Sequence, residues 1–360
     1  MVIKVGGSLL FKGGEPNISF IRELVDSIVR LIKDKKKIVI VSSGAIAFGS
    51  RELGLTSSYD LKAIPSKQAL ASVGQTQLMN LYSRFFKDYN LHVGQILLSA
   101  TDLSQRPTYL NARNTILTLL DIGVVPIVNE NDTVAVEEIK VGDNDTLSAL
   151  VAILIDADLL VILSDIQGLY TSDPKRDPKA KLLSSVYKID EKIQKMARGT
   201  SVEGRVGGMR TKINAAKVAT RSGVSVVVGE GNFLEDLFAG KDVGTMFFPT
   251  EDKLQARKKW IAYGSRVKGK IIVDEGAKKV LVEQGKSLLP VGIKEIKGNF
   301  QSGDTVGILD TDGKEFARGI VYYSSKELEK IKGLHTNKIE EKLGYKYYDE
   351  AIHRDNLVIL

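Results

Sequence analysis

Short runs rich in Val, Ile and Leu alternate with longer amphipathic segments through most of the chain. Apolar residues in these longer segments recur at helical spacing, as Ile21, Leu24, Val25 and Ile28 do. The predicted strands are 2–5, 37–41, 92–98, 124–128, 159–163 and 224–228, and the predicted helices are 18–33, 67–82, 111–121, 146–155 and 211–222. Strands that are apolar on both faces are typical of a parallel sheet covered by helices. The sequence therefore predicts an α/β domain with a mostly parallel sheet sandwiched by helices.

The pattern changes around 244–264, where the alternation stops. Short strand candidates follow, separated by turn signals such as Gly303-Asp304 and Asp312-Gly313. These candidates are 270–273, 289–296, 305–309 and 317–323. A chain of 360 residues has room for two domains. We therefore expect an α/β domain at 1–255, a linker at 256–266 and a small, mainly β domain at 267–350.

Composition excludes several classes of protein. The chain has no cysteine, so disulfides and thiolate metal sites are ruled out. Its longest apolar run, 147–155, is far shorter than the roughly 20 residues of a membrane span. No signal-peptide pattern follows the N-terminus. A net charge of +7 is typical of a solvated surface rather than of nucleic-acid binding. We expect a cytoplasmic protein with no membrane association.

Polar residues cluster between two elements that must both be buried. The segment 129–132 follows the apolar run 124–128, and 142–146 leads into the apolar helix 147–155. The stretch 133–141 between them could form a hairpin. Ligands of open α/β sheets bind at the mouth formed by the strand ends. Asp132, Asn144 and Asp145 are therefore the first candidates for a site.

Three glycine-rich turns could contact a ligand, and the first and third of them could hold phosphate. Lys4 precedes Gly6 and Gly7 at the end of the first strand, Ser43-Gly44-Ala45 follows the second, and 204–212 leads into a helix with Lys212 in its first turn. Glycine lets backbone N–H groups approach an anion, lysine adds charge, and helix N-termini favour phosphate. The alternatives are ordinary strand-to-helix turns and a flexible surface loop.

The polar pair Ser164-Asp165 follows the predicted strand 159–163. It could line a nucleotide pocket or simply form a turn. Lysines, glycine-rich turns and aspartate together suit phosphoryl transfer, which needs positioning and charge neutralisation more than covalent chemistry. The loop at 204–212 does not match the Gly-x-x-x-x-Gly-Lys-Ser/Thr phosphate loop.

These motifs together resemble the amino acid kinase family. The segments that carry the resemblance are Lys-Val-Gly-Gly-Ser at 4–8, Ser-Ser-Gly-Ala-Ile-Ala at 42–47, Lys-Gln-Ala-Leu-Ala-Ser-Val-Gly-Gln at 67–75, Leu-Asn-Ala-Arg at 110–113, Val-Asn-Glu-Asn-Asp at 128–132, Lys-Val-Gly-Asp-Asn-Asp at 140–145 and Gly-Gly-Met-Arg-Thr-Lys at 207–212. The C-terminal part, including 317–325, resembles a PUA domain. The resemblance implies the amino acid kinase fold with a PUA-like domain appended.

The resemblance also implies an activity, which is phosphorylation of the γ-carboxylate of L-glutamate by ATP, with Mg²⁺ bridging phosphate oxygens, to give L-glutamyl 5-phosphate for proline biosynthesis. The implied catalytic residues are Lys4, Asp145 and Lys212, with Asp145 holding the two lysines. Glutamate would be bound by Ser43, Gly44, Ala45, Asp132 and Asn144. The nucleotide would be bound by Lys4, Gly6, Gly7, Ser164, Asp165, Val206, Gly207, Gly208, Met209, Arg210, Thr211 and Lys212. No residue is assigned as a metal ligand. Val206 stands where the family commonly has threonine, so a side-chain hydroxyl contact from that position is lost.

The expected partners follow from the same resemblance. They are L-glutamate, proline as a feedback inhibitor, a second copy of the chain in a homo-oligomer (dimer or tetramer), and a reductase that receives glutamyl phosphate. One alternative is a sister kinase acting on aspartate, acetylglutamate, carbamate or UMP. Another is RNA binding by the second domain through Arg266, Lys268 and Lys270, which we rank below a structural or regulatory role for that domain.

Overall fold

The computed structural model describes residues 1–55, 63–134, 144–174, 176–198, 208–231, 233–249, 258, 260–346 and 348–360. The chain separates into two compact units, one formed by 1–103 and 107–253 and the other by 104–106 and 254–360. The predicted domain limits at 255 and 267 stay predictions. Among these described residues, no helix is both long enough and apolar enough to cross a membrane.

An eight-stranded sheet forms the centre of the first unit. Its strands are β1 (Val2–Val5), β4 (Val39–Ser42), β5 (Val93–Leu98), β6 (Val125–Glu130), β7 (Leu159–Ser164), β8 (Ser185–Val186), β9 (Ser225–Glu230) and β10 (Thr245–Phe247), and β2 (Phe11–Lys12) and β3 (Glu15–Pro16) form a separate hairpin. The spatial order is β5-β6-β4-β1-β7-β9-β10-β8. The first six strands in this order run parallel to one another, and β10 is antiparallel to β9. The predicted mostly parallel sheet is confirmed.

Helices occupy the connections between these strands. Those described in the first unit are α1 (Gly7–Leu10), α2 (Ile18–Lys33), α3 (Ala45–Glu52), α4 (Ile64–Lys87), α5 (Ala100–Ser104), α6 (Arg106–Asp121), α7 (Asn144–Leu154), α8 (Glu191–Arg198), α9 (Met209–Arg221) and α10 (Leu234–Phe238). Helix α4 extends beyond the predicted 67–82. It starts earlier because Pro65 suits the first turn, and it continues because Phe85 and Phe86 extend its buried face.

The two faces of β1 have different roles. Ile3 and Val5 point into a core shared with α2 and α4. Lys4, between them, points to the opposite face of the sheet, where α7 packs against β1. The pleat of one strand therefore separates a purely structural side from the side that carries charge.

The second unit is built on a five-stranded sheet. Its strands are β11 (Val267–Val273), β12 (Ile293–Gly298), β13 (Thr305–Leu309), β14 (Glu315–Ile320) and β15 (Leu357–Ile359), in the order β12-β11-β13-β14-β15. Its helices are α11 (Glu275–Gln284), α12 (Ser325–Ile331) and α13 (Ile339–Leu343), with short helical turns at Trp260–Gly264, Pro290–Gly292, Thr336–Lys338 and Arg354–Asn356.

Two strand predictions in this unit were shifted along the chain. Strand β12 begins at Ile293 rather than at 289, because Pro290–Gly292 forms a 3₁₀ turn and proline has no N–H group for a sheet ladder. Strand β14 runs over Glu315–Ile320 instead of 317–323. The small, mainly β second domain itself is confirmed.

Candidate active site

The candidate site lies where parallel neighbouring strands end at one edge of the large sheet. Strands β6, β4, β1 and β7 are adjacent in that order. Because they are parallel, their carboxyl ends share an edge. The structure thus brings Asp132, Ser43, Gly6 and Ser164 to the same edge, each just after or at the end of its strand.

A buried carboxylate and two ammonium groups form the charged centre. Lys4 Nζ lies 2.6 Å from Oδ1 of Asp145, and Lys212 Nζ lies 3.2 Å from Oδ2. Relative exposures are 6% for Lys4, 0% for Asp145 and 4% for Lys212. The two predicted catalytic lysines therefore converge on the carboxyl group of the third predicted catalytic residue, Asp145.

Each member comes from a different element that fixes its position. Lys4 projects from the middle of the buried β1, Asp145 lies in the first turn of α7, and Lys212 lies in the first turn of α9. A carboxylate in the first turn of a helix is favoured by the helix dipole. Thr211 Oγ1 donates to Oδ2 of Asp145 at 2.7 Å, which adds a hydroxyl to the cluster.

Electrostatics keep Asp145 ionised. Burial disfavours the charged form and would raise the pKa of this carboxyl, but the positive charges of Lys4 and Lys212 outweigh that effect. With the Thr211 hydrogen bond added, the pKa of Asp145 is lowered from its ordinary value. The result is two cations and one anion, so the centre has a surplus positive charge that suits phosphate.

The predicted glutamate-binding residues lie beside this centre. Asn144 Nδ2 donates to Ser43 Oγ at 2.8 Å and lies 3.1 Å from Asn129 Oδ1. Gly44 is the residue before α3 and has φ of 108°, which favours glycine, and Ala45 is the first, buried residue of α3. Asp132 lies in the turn after β6 and is partly exposed.

The first glycine-rich turn links the lysine to the serine turn. A Cβ atom added at Gly6 would lie 3.8 Å from Lys4 Nζ, and one added at Gly7 would lie 3.7 Å from the Cβ of Ser43. Side chains at either glycine would therefore occupy space beside the ammonium group or the serine turn. Glycine at such a turn permits close approach of the backbone to an anion.

The remaining predicted nucleotide-binding residues differ in exposure. Ser164 is buried and its hydroxyl donates to Asp165 Oδ1 at 3.2 Å, while Asp165 itself is exposed. Gly208 precedes α9, Arg210 is exposed, and the side chain of Met209 is buried, so only the Met209 backbone is available to a ligand. Val206 and Gly207 lie outside the described residues, as does most of the predicted hairpin at 133–141.

Two site-forming residues were not predicted from the sequence. Asn129 and Gln75 are buried, and Asn129 Nδ2 donates to Gln75 Oε1 at 2.9 Å. The signal available was a polar residue within the apolar face of the helix predicted at 67–82. That signal does not identify the residue's partner.

Sequence comparison finds matching families for both parts of the chain and relatives that span its whole length. The model of the amino acid kinase family matches residues 1–230, and the model of the PUA domain matches 269–343. A glutamate 5-kinase from Caldanaerobacter subterraneus subsp. tengcongensis is 48% identical over 364 residues, covering 100% of this chain and 97% of the relative. A glutamate 5-kinase from Dictyoglomus thermophilum is 49% identical over 368 residues, covering 100% of this chain and 97% of the relative.

Structure comparison supports the fold of the first unit. Carbamate kinase from Giardia lamblia bound to AMP-PNP superimposes with a TM-score of 0.51 at 17% identity, covering 69% of this chain and 98% of the kinase. At this identity the similarity supports the fold alone. Together with the family match and the full-length relatives, it shows that the chain belongs to the amino acid kinase family and carries a C-terminal PUA domain.

Proposed function

We propose that the protein transfers the γ-phosphoryl group of ATP to the γ-carboxylate of L-glutamate, forming L-glutamyl 5-phosphate. The observation that carries this proposal is the near-half identity, over the full chain, to relatives named glutamate 5-kinase. The convergence of Lys4 and Lys212 on Asp145 supplies the charge that such a transfer needs.

The reaction needs no general base. The γ-carboxylate has an unperturbed pKa of about 4.3, so it is already ionised at neutral pH and can attack directly. One carboxylate oxygen forms a bond to the γ-phosphorus as the bond to the bridging oxygen of ADP breaks, and that electron pair leaves with ADP. Asp145 cannot take a proton in this step, because both its oxygens face ammonium groups.

Lys4 and Lys212 are proposed to neutralise charge on the transferring phosphoryl group and its neighbours. Developing negative charge is stabilised strongly by cations fixed in a site shielded from water. Asp145 is proposed to hold the two ammonium groups close together despite their mutual repulsion. This role explains why a carboxylate is buried where its partners among the described residues are two ammonium groups and a hydroxyl.

We assign the two substrates to two neighbouring sets of residues around this centre. Ser43, Asn144 and Asp132, with the backbone of Gly44 and Ala45, are proposed to bind glutamate. Gly6 and Gly7, Ser164 and Asp165, and the segment 206–212 are proposed to bind ATP.

Mg²⁺ is proposed to accompany the nucleotide. Magnesium in kinase sites is held largely by phosphate oxygens and water. The described residues contain no group of three or more His, Cys, Asp or Glu side chains that could hold a cation, and Asp145 is already paired with lysines. A metal held by the phosphate oxygens would neutralise charge as ADP departs.

Regulation and assembly are proposed from family resemblance. We expect proline to inhibit by competing near the glutamate site, the chain to form a dimer or tetramer, and a reductase to consume glutamyl phosphate. For the second unit we favour a role in assembly or feedback over RNA binding. Arg266, Lys268 and Lys270 are exposed, and salt-dependent binding of RNA would overturn that preference.

An acyl-phosphate trap tests the proposed function. Hydroxylamine converts glutamyl phosphate to a hydroxamate, so ATP-dependent hydroxamate formation is measured with L-glutamate, D-glutamate, aspartate and acetylglutamate in parallel. The proposal predicts the highest kcat/KM with L-glutamate. Faster turnover of aspartate or acetylglutamate, or no product with L-glutamate, would contradict it.

A further inference from the structure

We propose that Gln75 is a positioning residue for the amino acid substrate, because it holds Asn129 in the orientation from which the donors and acceptors of the Ser43–Asn144 pair follow. The inference rests on the proposed function, since it concerns the subsite assigned to glutamate. Gln75 lies on α4 and is buried, and among the described residues its hydrogen bond to this subsite is the one it accepts from Asn129.

The arrangement of donors and acceptors is fixed at one end by the backbone N–H of Glu130, which can only donate. The N–H of Glu130 donates to Asn129 Oδ1 at 2.9 Å, and a backbone N–H can only donate. Asn129 must therefore turn its Oδ1 towards Glu130 and its Nδ2 away. That Nδ2 meets Gln75, which must present its Oε1 as the acceptor.

The same order continues to the serine. Because Asn129 Oδ1 is an acceptor, Asn144 must direct its Nδ2 towards it, and the same Nδ2 donates to Ser43 Oγ. The Ser43 hydroxyl thus accepts from the protein, which leaves its hydrogen available to donate to a carboxylate. Asn144 Oδ1 is buried without a hydrogen-bond partner among the described residues, so an acceptor is left in the same subsite.

Helix α4 holds both halves of this arrangement. Gly74 packs so closely on α3 that an added Cβ would lie 1.8 Å from the carbonyl oxygen of Ala45. The next residue, Gln75, holds the end of β6 through Asn129. One helix therefore fixes the turn containing Ser43 and the amide that orients Asn144.

The test compares two substitutions that differ in one acceptor. Gln75→Met keeps an unbranched side chain of similar length but removes Oε1, so buried Asn129 Nδ2 loses its acceptor. Gln75→Glu keeps an acceptor oxygen in either protonation state and replaces only Nε2, which has no hydrogen-bond partner among the described residues. Steady-state kinetics of hydroxamate formation, varying glutamate and then ATP, are measured on the full chain.

We expect Gln75→Met to raise the KM for glutamate about tenfold, the effect of one lost buried hydrogen bond, with the KM for ATP unchanged. Gln75→Glu should stay within about threefold of wild type, because the acceptor is retained. Gln75→Asn, whose shorter side chain draws the acceptor back, provides a second loss variant if Gln75→Met does not fold.

Two results would overturn the inference. One is an unchanged glutamate KM in folded Gln75→Met, with only the melting temperature lowered. The other is equal kinetic damage from Gln75→Met and Gln75→Glu, which would indicate a packing role. A wild-type chain that does not phosphorylate glutamate would instead overturn the proposed function, and this inference with it.

Discussion

Lys4 Nζ lies 2.6 Å from Oδ1 of Asp145, and both side chains are buried. The pair joins the central strand of the sheet to the start of α7, and Lys212 adds α9 at the other carboxylate oxygen. Burying three charges is costly unless each is paired, so these contacts constrain the elements that carry them. The same arrangement provides the surplus positive charge that we assign to phosphate binding.

Asp145→Asn should destabilise the protein severely. The substitution keeps the shape but leaves two buried ammonium groups without a counter-charge, and breaking a buried ion pair from one side costs about 3–5 kcal/mol. Urea unfolding measures the loss. Asp121→Asn is the control, since Asp121 forms an exposed pair with Lys37 that should contribute about 1 kcal/mol or less. Equal stability of the two variants would contradict the account.

The contribution of Asp145 to stability should depend on pH in a defined direction. Because its pKa is lowered in the folded protein, the group stabilises the fold fully above its unfolded pKa of about 3.9, and the contribution is lost as pH falls through the folded value. The stability gap between wild type and Asp145→Asn should therefore be constant from about pH 7 to 5 and shrink below about pH 4. Urea unfolding across this range measures the gap, and a gap that widens on acidification would refute the assignment.

Asp132→Ala should raise the glutamate KM about tenfold or more, with little effect on the KM for ATP, if the carboxylate contacts the substrate as proposed. Initial rates with each substrate varied in turn give both constants. Asp34→Ala, an exposed aspartate at the end of α2, is the matched control. An unchanged glutamate KM would remove Asp132 from the substrate site.

Gly49→Ala should destabilise the first unit although alanine favours helices. A Cβ atom at Gly49 would lie 1.9 Å from the carbonyl oxygen of Leu70, so α3 and α4 must separate. Overpacking of this kind costs about 1–3 kcal/mol or more. Thermal unfolding should show a larger loss than Ala47→Gly, an exposed change on α3 that costs about 1 kcal/mol. The reverse ranking would mean that the helices do not pack this closely.

The same glycine shows why helix α3 in particular was missed from the sequence. Apolar runs located β1 and the other long strands to within about two residues, because strands buried on both faces have a simple pattern. Helix α3 was not predicted, since it has only eight residues and Gly49, which resembles a helix breaker, lies on its buried face. The need for glycine is set by Leu70 on another helix, which local patterns do not reveal.

The sequence likewise predicted some features of the candidate site and not others. The ends of β1, β4 and β7 could be placed together because parallel strands share an edge, which brought Lys4, Ser43 and Ser164 into one region. The pairing of Asp145 with Lys4 and Lys212 came from family resemblance, since these residues are distant in sequence. The contact of Gln75 with Asn129 depends on the rotation of α4 against the sheet. The motifs 67–75 and 128–132 contain these residues, but they do not show that the two side chains meet.

The rate of a single turnover with Lys212→Ala tests the central claim most directly. Enzyme in excess over ATP is mixed with saturating L-glutamate, and phosphoryl transfer is timed for wild type, Lys212→Ala and the exposed control Lys192→Ala. The account predicts a loss of about 10²–10³ in Lys212→Ala, as for removal of one charge-stabilising group, with glutamate affinity nearly unchanged and the control like wild type. A transfer rate in folded Lys212→Ala within about threefold of wild type would contradict it.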